Sequence, residues 1–169
     1  MYLQSGKLEL AQIECEKSLA LRELTRDQWG VNSCYLNLGD IARLQNLTMP
    51  ETYYYRKSYE LGLELGLKGD MARAANCLGF AALHSNDPQE ALVHFSKSLE
   101  TYHELNHMRG ICECLAGYAS LAAMRRRLDI ATKLLGVTEK VLKSNNIKMW
   151  RARSRSSCSS TIQIGRAHV

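Results

Sequence analysis

The chain has 169 residues, 46% of them hydrophobic, and carries 22 Lys and Arg against 17 Asp and Glu. Four of those cations, Arg151, Arg153, Arg155 and Arg166, lie in a terminal stretch without acids; positions 1–150 keep 18 basic and 17 acidic residues, which gives the body no general electrostatic attraction for nucleic acid. No apolar run approaches the roughly 18 residues of a membrane span, and the only prolines, Pro50 and Pro88, stand where helices would start, so the composition points to an all-α chain.

In chain order, Met1–Gln4 read as the stub of a helix and Ser5-Gly6-Lys7 as a turn, a pattern unlike a secretory signal. A helix from Leu8 to about Leu24 carries Leu10, Ile13, Leu19 and Leu21 and closes at Thr25-Arg26-Asp27. The next, over 28–45, carries Trp29, Val31, Tyr35, Leu38 and Ile41, with Gly39 marking a close approach of two helices. Leu47-Thr48-Met49 turns into Pro50, which opens a helix over 50–65 with Tyr55, Tyr59, Leu61 and Leu65. Gly66 to Gly69 is a glycine-rich break of the kind that ends a helix. A helix over 70–85 carries Met71, Ala74, Ala75, Leu78 and Ala82.

At Asn86-Asp87-Pro88 the chain turns again: Asn86 or Asp87 can cap the following helix, and Pro88 suits its first turn, where a missing N–H costs nothing. Ala91, Leu92, Phe95, Leu99 and Tyr102 then form one apolar stripe. A helix over 108–124 carries Ile111, Leu115, Tyr118, Ala119 and Ala122, Arg125 to Leu128 turns the chain, and a helix over 129–144 carries Ile130, Ala131, Leu134, Leu135, Val137 and Val141. Ile147–Trp150 is a short apolar segment expected to fold back as a cap. Beyond it the periodicity ends. Residues 151–169 hold five serines and no acid, finish in a stretch that matches a translated sequencing adapter, and are expected to be disordered and foreign to the fold.

These elements repeat. Gly39, Gly79 and Ala119 are spaced by 40 residues, as are Ala11, Glu51, Ala91 and Ala131, then Ser18, Ser58, Ser98 and Thr138, with turns at Gly6, Asn46, Asn86 and Arg126. The placement of Gly79, Ala91 and Phe95 resembles the heart of a tetratricopeptide repeat, whose usual period is about 34 residues; HEAT and armadillo units, with periods of roughly 40–47, are the rival helical reading. The expectation is a right-handed superhelical solenoid of antiparallel helix pairs, about 40 residues per unit. Its parts are a truncated first repeat at 1–27, repeats at 28–69 and 70–107, and a last repeat with its cap at 108–150.

Candidate chemistry is sparse. His103-Glu104-Leu105-Asn106-His107 has the HExxH spacing that places two imidazoles on zinc when it lies within a helix, which would make a zinc hydrolase. It falls on the recurring junction between units, however, with Gly110 two periods after Gly30, so a structural junction without metal or other cofactor is expected. Tyr53-Tyr54-Tyr55 would stack bases if all three shared a face, but Tyr55 matches Phe95 and belongs to the core; Arg125-Arg126-Arg127 reads as a solvated turn. Cys34 and Cys114 occupy one repeat position, filled by Ala74 in the middle unit. That is cysteine acting as a small apolar residue in a reduced, cytoplasmic chain, and Cys112 and Cys114 would point to different sides of their helix. No phosphate-binding glycine loop or nucleophile elbow is present, so no enzyme activity is expected.

The run Leu99-Glu100-Thr101-Tyr102-His103-Glu104-Leu105 through Arg109-Gly110-Ile111-Cys112-Glu113-Cys114-Leu115-Ala116-Gly117, with Ala131–Glu139, Leu19–Leu24 and Leu36–Ala42, resembles the C-terminal tetratricopeptide region of large ATP-dependent LuxR-type transcriptional regulators. Similar repeats are fused to nucleotide cyclases and kinases. The resemblance covers residues 5–145 and implies a sensor or scaffold arm that binds a protein, a peptide segment or a small inducer, with ATPase and DNA-binding parts elsewhere and no direct nucleic-acid contact by these repeats. It also implies that the first helix of each pair lines a concave groove. With Gly39, Gly79 and Ala119 as equivalents, the groove residues are Leu36, Asp40 and Arg43; then Arg73, Asn76, Phe80 and Leu83; then Glu113, with Ser33, Ala116, Ser120 and Ala123 beside them. Exposed Phe80 and Leu83 would form an apolar patch with polar anchors around it.

Overall fold

The computed structural model describes residues 2–145, with side chains from Gly6 onward; the Ile147–Trp150 cap and the 151–169 tail lie outside them. The described residues form seven helices and no strand: α1 (Tyr2–Leu24), α2 (Gln28–Leu44), α3 (Thr48–Leu65), α4 (Lys68–His84), α5 (Pro88–Glu104), α6 (Met108–Met124) and α7 (Leu128–Ser144).

One turn, repeated, sets these lengths. At the end of α2 the Leu47 amide donates to Ala42 O at 2.9 Å and the Asn46 amide to Arg43 O at 3.1 Å, which satisfies two orphan carbonyls and requires Asn46 to take the left-handed conformation. The same bond pair closes every helix from α1 to α6, with positive φ at Arg26, Asn46, Gly66, Asn86, Asn106 and Arg126, one every 20 residues. Three of the following helices are also capped by a side chain, α2 by Asp27 (accepting from Gly30 N at 2.9 Å), α5 by Asp87 (from Gln89 N and Glu90 N) and α6 by His107 (from Gly110 N at 3.0 Å), whereas Leu47, Leu67 and Arg127 open α3, α4 and α7 without one. Pro50, the third residue of α3, falls in the first turn, where its N–H would have no intrahelical partner.

Two expected breaks differ. Gly6 stands one interval before Arg26, yet α1 runs through it, and no turn forms at Ser5-Gly6-Lys7. A helical glycine costs only about 1 kcal/mol, which the continued hydrogen-bond ladder offsets. The glycine-rich break also narrows: Gly66 alone has positive φ (69°), while Gly69 already lies in the first turn of α4, so that helix starts at Lys68.

Turns of two or three residues between helices mostly 17 residues long make neighbours antiparallel. Across α5 and α6 the partners run in opposite order, Phe95 with Gly117, Ser98 with Cys114 and Tyr102 with Gly110. Each helix packs on its successor, and α4 also meets α6, whereas α1 and α7 do not pack on one another. Because α1 packs mainly on α2, its Leu10, Ile13 and Leu21 remain exposed, as does Trp29 at the start of α2.

The interior is organised by two buried rings. A Cβ on Gly79 would lie 2.6 Å from Phe95, and one on Gly117 would lie 2.5 Å from the same ring, so Phe95 is clasped by glycines of α4 and α6. Tyr55 sits on Gly39 in the same way, with Leu36, Ala74, Leu78 and Cys77 around it. The serine series lies beside the rings. Ser58 donates to Asn32 Oδ1 at 3.0 Å, Ser98 donates to Ala72 O at 2.6 Å, and the Cys114 and Cys34 thiols point back to Ser98 and Ser18. Cys34, Ala74 and Cys114 are buried, as expected of one small-residue position; Cys112 is buried too, because α6 is covered on more than one side.

Phe95→Ala is expected to cost about 3–5 kcal/mol in urea unfolding; a loss below about 1 kcal/mol would contradict the clasped ring. Gly66→Ala is expected to destabilise by about 1 kcal/mol through its positive φ, whereas Gly136→Ala, in α7 with open space around it, is expected to stabilise by roughly 0.5–1 kcal/mol. Equal signs for the two glycines would refute the turn assignment.

Candidate functional site

Of the eight residues expected to line the groove, the structure joins the charged ones. Asp40 is the hub: Arg73 of α4 forms an ion pair with its Oδ2, the Tyr55 hydroxyl donates to Oδ1 at 2.6 Å, and Arg43 stands 4.0 Å away. The side chains keep partial access to solvent, 25% for Asp40, 17% for Arg43 and 43% for Arg73. Burial disfavours the arginine charges, but Asp40 beside Arg73, and Tyr55 and Asp40 beside Arg43, more than offset it and raise both pKa values. On α6, burial raises the Glu113 carboxyl against the influence of Arg109, His107 and Arg73. Asp40, Arg43, Arg73 and Glu113 thus belong to one charged strip across α2, α4 and α6.

The apolar part of the expected groove is corrected. Leu36 is buried in the cluster around Tyr55, and Asn76 is 5% exposed with its Oδ1 unpartnered, so both face a seam between helices rather than open solvent. Phe80 is half-buried, edge-on to Phe95 at 5.1 Å between ring centroids, and Leu83 packs on the same cluster. Phe80 and Leu83 are therefore half-buried against the core rather than a fully exposed patch: the large Phe95 ring draws Phe80 inward, where its contacts remove apolar area from water.

Three groups of this region were not foreseen from sequence. Tyr55 turns its hydroxyl to the strip while its ring is core, a dual use open to tyrosine but not to Phe95. Cys77 lies beside Tyr55, and burial, with Asp40 nearby, pushes its thiol up to about 12, a range in which it stays protonated and unreactive. Glu51 is 2% exposed with Oε1 unpartnered; its signal in the sequence was that it alone breaks the Ala11, Ala91, Ala131 series.

The HExxH segment is split. α5 ends at Glu104, Asn106 takes positive φ, and His107 is the N-cap of α6, its Nδ1 occupied by Gly110 N and its ring stacked on Tyr102 at 5.0 Å. His103 and His107 therefore do not share a helix face, and Glu104 pairs with Lys68 at 3.0 Å. Among the described residues no cluster of His, Cys, Asp and Glu has the makings of a metal site. The three tyrosines divide as well: Tyr55 is core, while Tyr54 stacks on Tyr35 and meets Tyr53 edge-on. Arg126 is the left-handed turn residue, and Arg127 pairs with Asp129.

A double-mutant cycle between Tyr55→Phe and Asp40→Asn is expected to give a coupling of about 1–2 kcal/mol, because the hydrogen bond is charge-assisted and sheltered. Additive losses would show that the hydroxyl does not depend on Asp40.

No family model and no curated protein match the chain. Solved structures do: fourteen chains match, among them the crystal structure of BtubC (BKLC) from P. vanneervenii, at a TM-score of 0.75 and 14% identity. The match covers 98% of this chain and 66% of that one, so the chain spans just under two thirds of its structural relative. At that identity the likeness concerns the fold, which is all-α and helical-repeat-like. No helix among the described residues is long and apolar enough to cross a membrane.

Proposed function

We propose that this chain is a protein-interaction module, a tetratricopeptide-like right-handed solenoid that serves as the sensing or scaffolding arm of a larger cytoplasmic signalling or transcriptional regulator of the LuxR type. It holds a peptide segment of a partner protein, or of another domain of the same regulator, on the face formed by α2, α4 and α6; a small inducer is the alternative ligand of the same face. The observation that carries the reading is the charged strip of Asp40, Arg43, Arg73 and Glu113, drawn from alternate helices and left partly open to solvent. Side chains that serve only packing would not need Arg43 of α2, Tyr55 of α3 and Arg73 of α4 to converge on one carboxylate, Asp40. The fold likeness to BtubC supports the repeat architecture and bears on nothing further. No enzymatic role is proposed: the split HExxH segment lacks the geometry for two imidazoles on one ion.

Selection from a displayed library of random peptides tests the reading. Peptides enriched on the purified chain are expected to bind at least about tenfold more weakly to Arg73→Ala and Glu113→Ala, and unchanged to Tyr54→Ala, whose ring lies away from the strip. Equal retention by the strip variants, or loss confined to Tyr54→Ala, would overturn the assignment of this face.

A further inference from the structure

Glu51 occupies the first turn of α3 at a repeat position that is alanine in the other units, and it is 2% exposed with Oε1 lacking any hydrogen-bond partner. A structural carboxylate buried this way would be paired, since an uncompensated buried charge is among the costliest features a fold can carry. The groups that face it come from both helices packed on α3. On α2 these are Arg43, which favours the ionised form, and Asp40, which opposes it. On α4, Arg73 is committed to Asp40, Cys77 is a neutral thiol beside Tyr55, and His84 lies within electrostatic reach of Arg43, its pKa lowered first by burial and then by that cation. Tyr55, on the same helix as Glu51, is committed to Asp40. Arg43 is thus the cation that acts on Glu51, and among the described residues no ion pair joins the two.

We infer that Glu51 is a proton-operated latch: neutral, it fits the alanine-sized seam between α2 and α3, and ionised, it must leave the seam toward Arg43 and solvent, loosening the hairpin at Gln45–Glu51. The chemistry is proton exchange with water at Glu51 Oε and needs no other reactant. The sheltered seam pushes the Glu51 carboxyl up to about 7, so the transition falls within the physiological range.

The sign follows from linkage. With the folded pKa above the ordinary carboxylate value, the native state holds a proton that the unfolded chain has lost between about pH 4.5 and 7. The Glu51 contribution to stability is therefore complete below that window and disappears as pH rises through it. His84 and His94, both shifted downward mainly by burial, act in the opposite sense, so the informative quantity is the difference between wild type and Glu51→Gln.

The test is side-chain carboxyl NMR of the 13C-glutamate-labelled chain, together with amide exchange across residues 45–52. The Glu51 resonance is expected to titrate with a midpoint two or more pH units above those of exposed glutamates. Exchange at the hairpin, corrected for its intrinsic pH dependence, is expected to accelerate by at least tenfold between pH 5.5 and 8 in wild type and to stay flat in Glu51→Gln. A Glu51 midpoint in the ordinary carboxylate range overturns the inference whether or not the variant folds, because it is measured on the wild-type chain. An elevated midpoint without faster hairpin exchange overturns the latch.

Discussion

The architecture depends on the approach of an aromatic ring to a backbone that has no Cβ. Phe95 lies against Gly79 on one side and Gly117 on the other, at distances where any side chain at either position would collide with the ring. One residue of α5 is thereby locked to the helix before it and the helix after it. Tyr55 repeats the arrangement one unit earlier, with Gly39 behind it and Cys77 in the place of the second glycine. Dispersion favours this geometry because a flat ring on bare backbone gains many contacts at once, and the resulting fit tolerates little change of volume. At the ends of the described array the ring is missing, with Cys15 and Leu135 at the corresponding positions. The clasp of a ring on bare backbone therefore belongs to α2–α6.

A second constraint keeps those rings in register. Each of the six turns consists of the same two hydrogen bonds around one left-handed residue, and each returns the chain after 20 residues. A helix of 17 residues is about 25 Å long, so successive helices begin and end at the same level. Asparagine or glycine fills four of the six left-handed positions, as their low cost in that conformation would lead one to expect. Arg26 and Arg126 bear the strain instead, evidence that the bond pattern outweighs the local preference of the residue.

What could be read from the sequence follows the same division. The glycine, aromatic and serine series were legible because each position has one partner at a fixed offset and tolerates few residue types. The helix limits were legible for the same reason, since Asp27, Asp87 and Pro88 announce helix starts locally. Gly6 misled because a glycine inside a helix costs only about 1 kcal/mol, so a continuous helix such as α1 can run through it. The surroundings of the expected groove residues were only half legible. Periodicity places Leu36, Asn76, Phe80 and Leu83 on one side of their helices, but whether that side meets solvent or the next unit depends on how tightly consecutive pairs close, a long-range property. Charge resolved part of what periodicity could not: Asp40, Arg43, Arg73 and Glu113 retain access to water, whereas Leu36 and Asn76 are buried and Phe80 and Leu83 lie half-buried against the core.

That outcome ties the surface strip to stability. Asp40 accepts from a core residue, Tyr55, and pairs with a half-exposed one, Arg73, so the same carboxylate anchors the interior and presents the surface. A cationic group arriving from a partner would compete with Arg73, the more accessible of the two, because displacing Tyr55 would require the ring to leave its seat on Gly39. An anionic group would instead draw Arg73 away and leave Asp40 to Tyr55 and Arg43. In either case the exchange takes place at the outer bond while the inner bond holds, and α2, α3 and α4 keep their register as the strip changes partners. A groove lined by independent surface residues would lack this protection, since each new contact would be free to pull its own helix out of place.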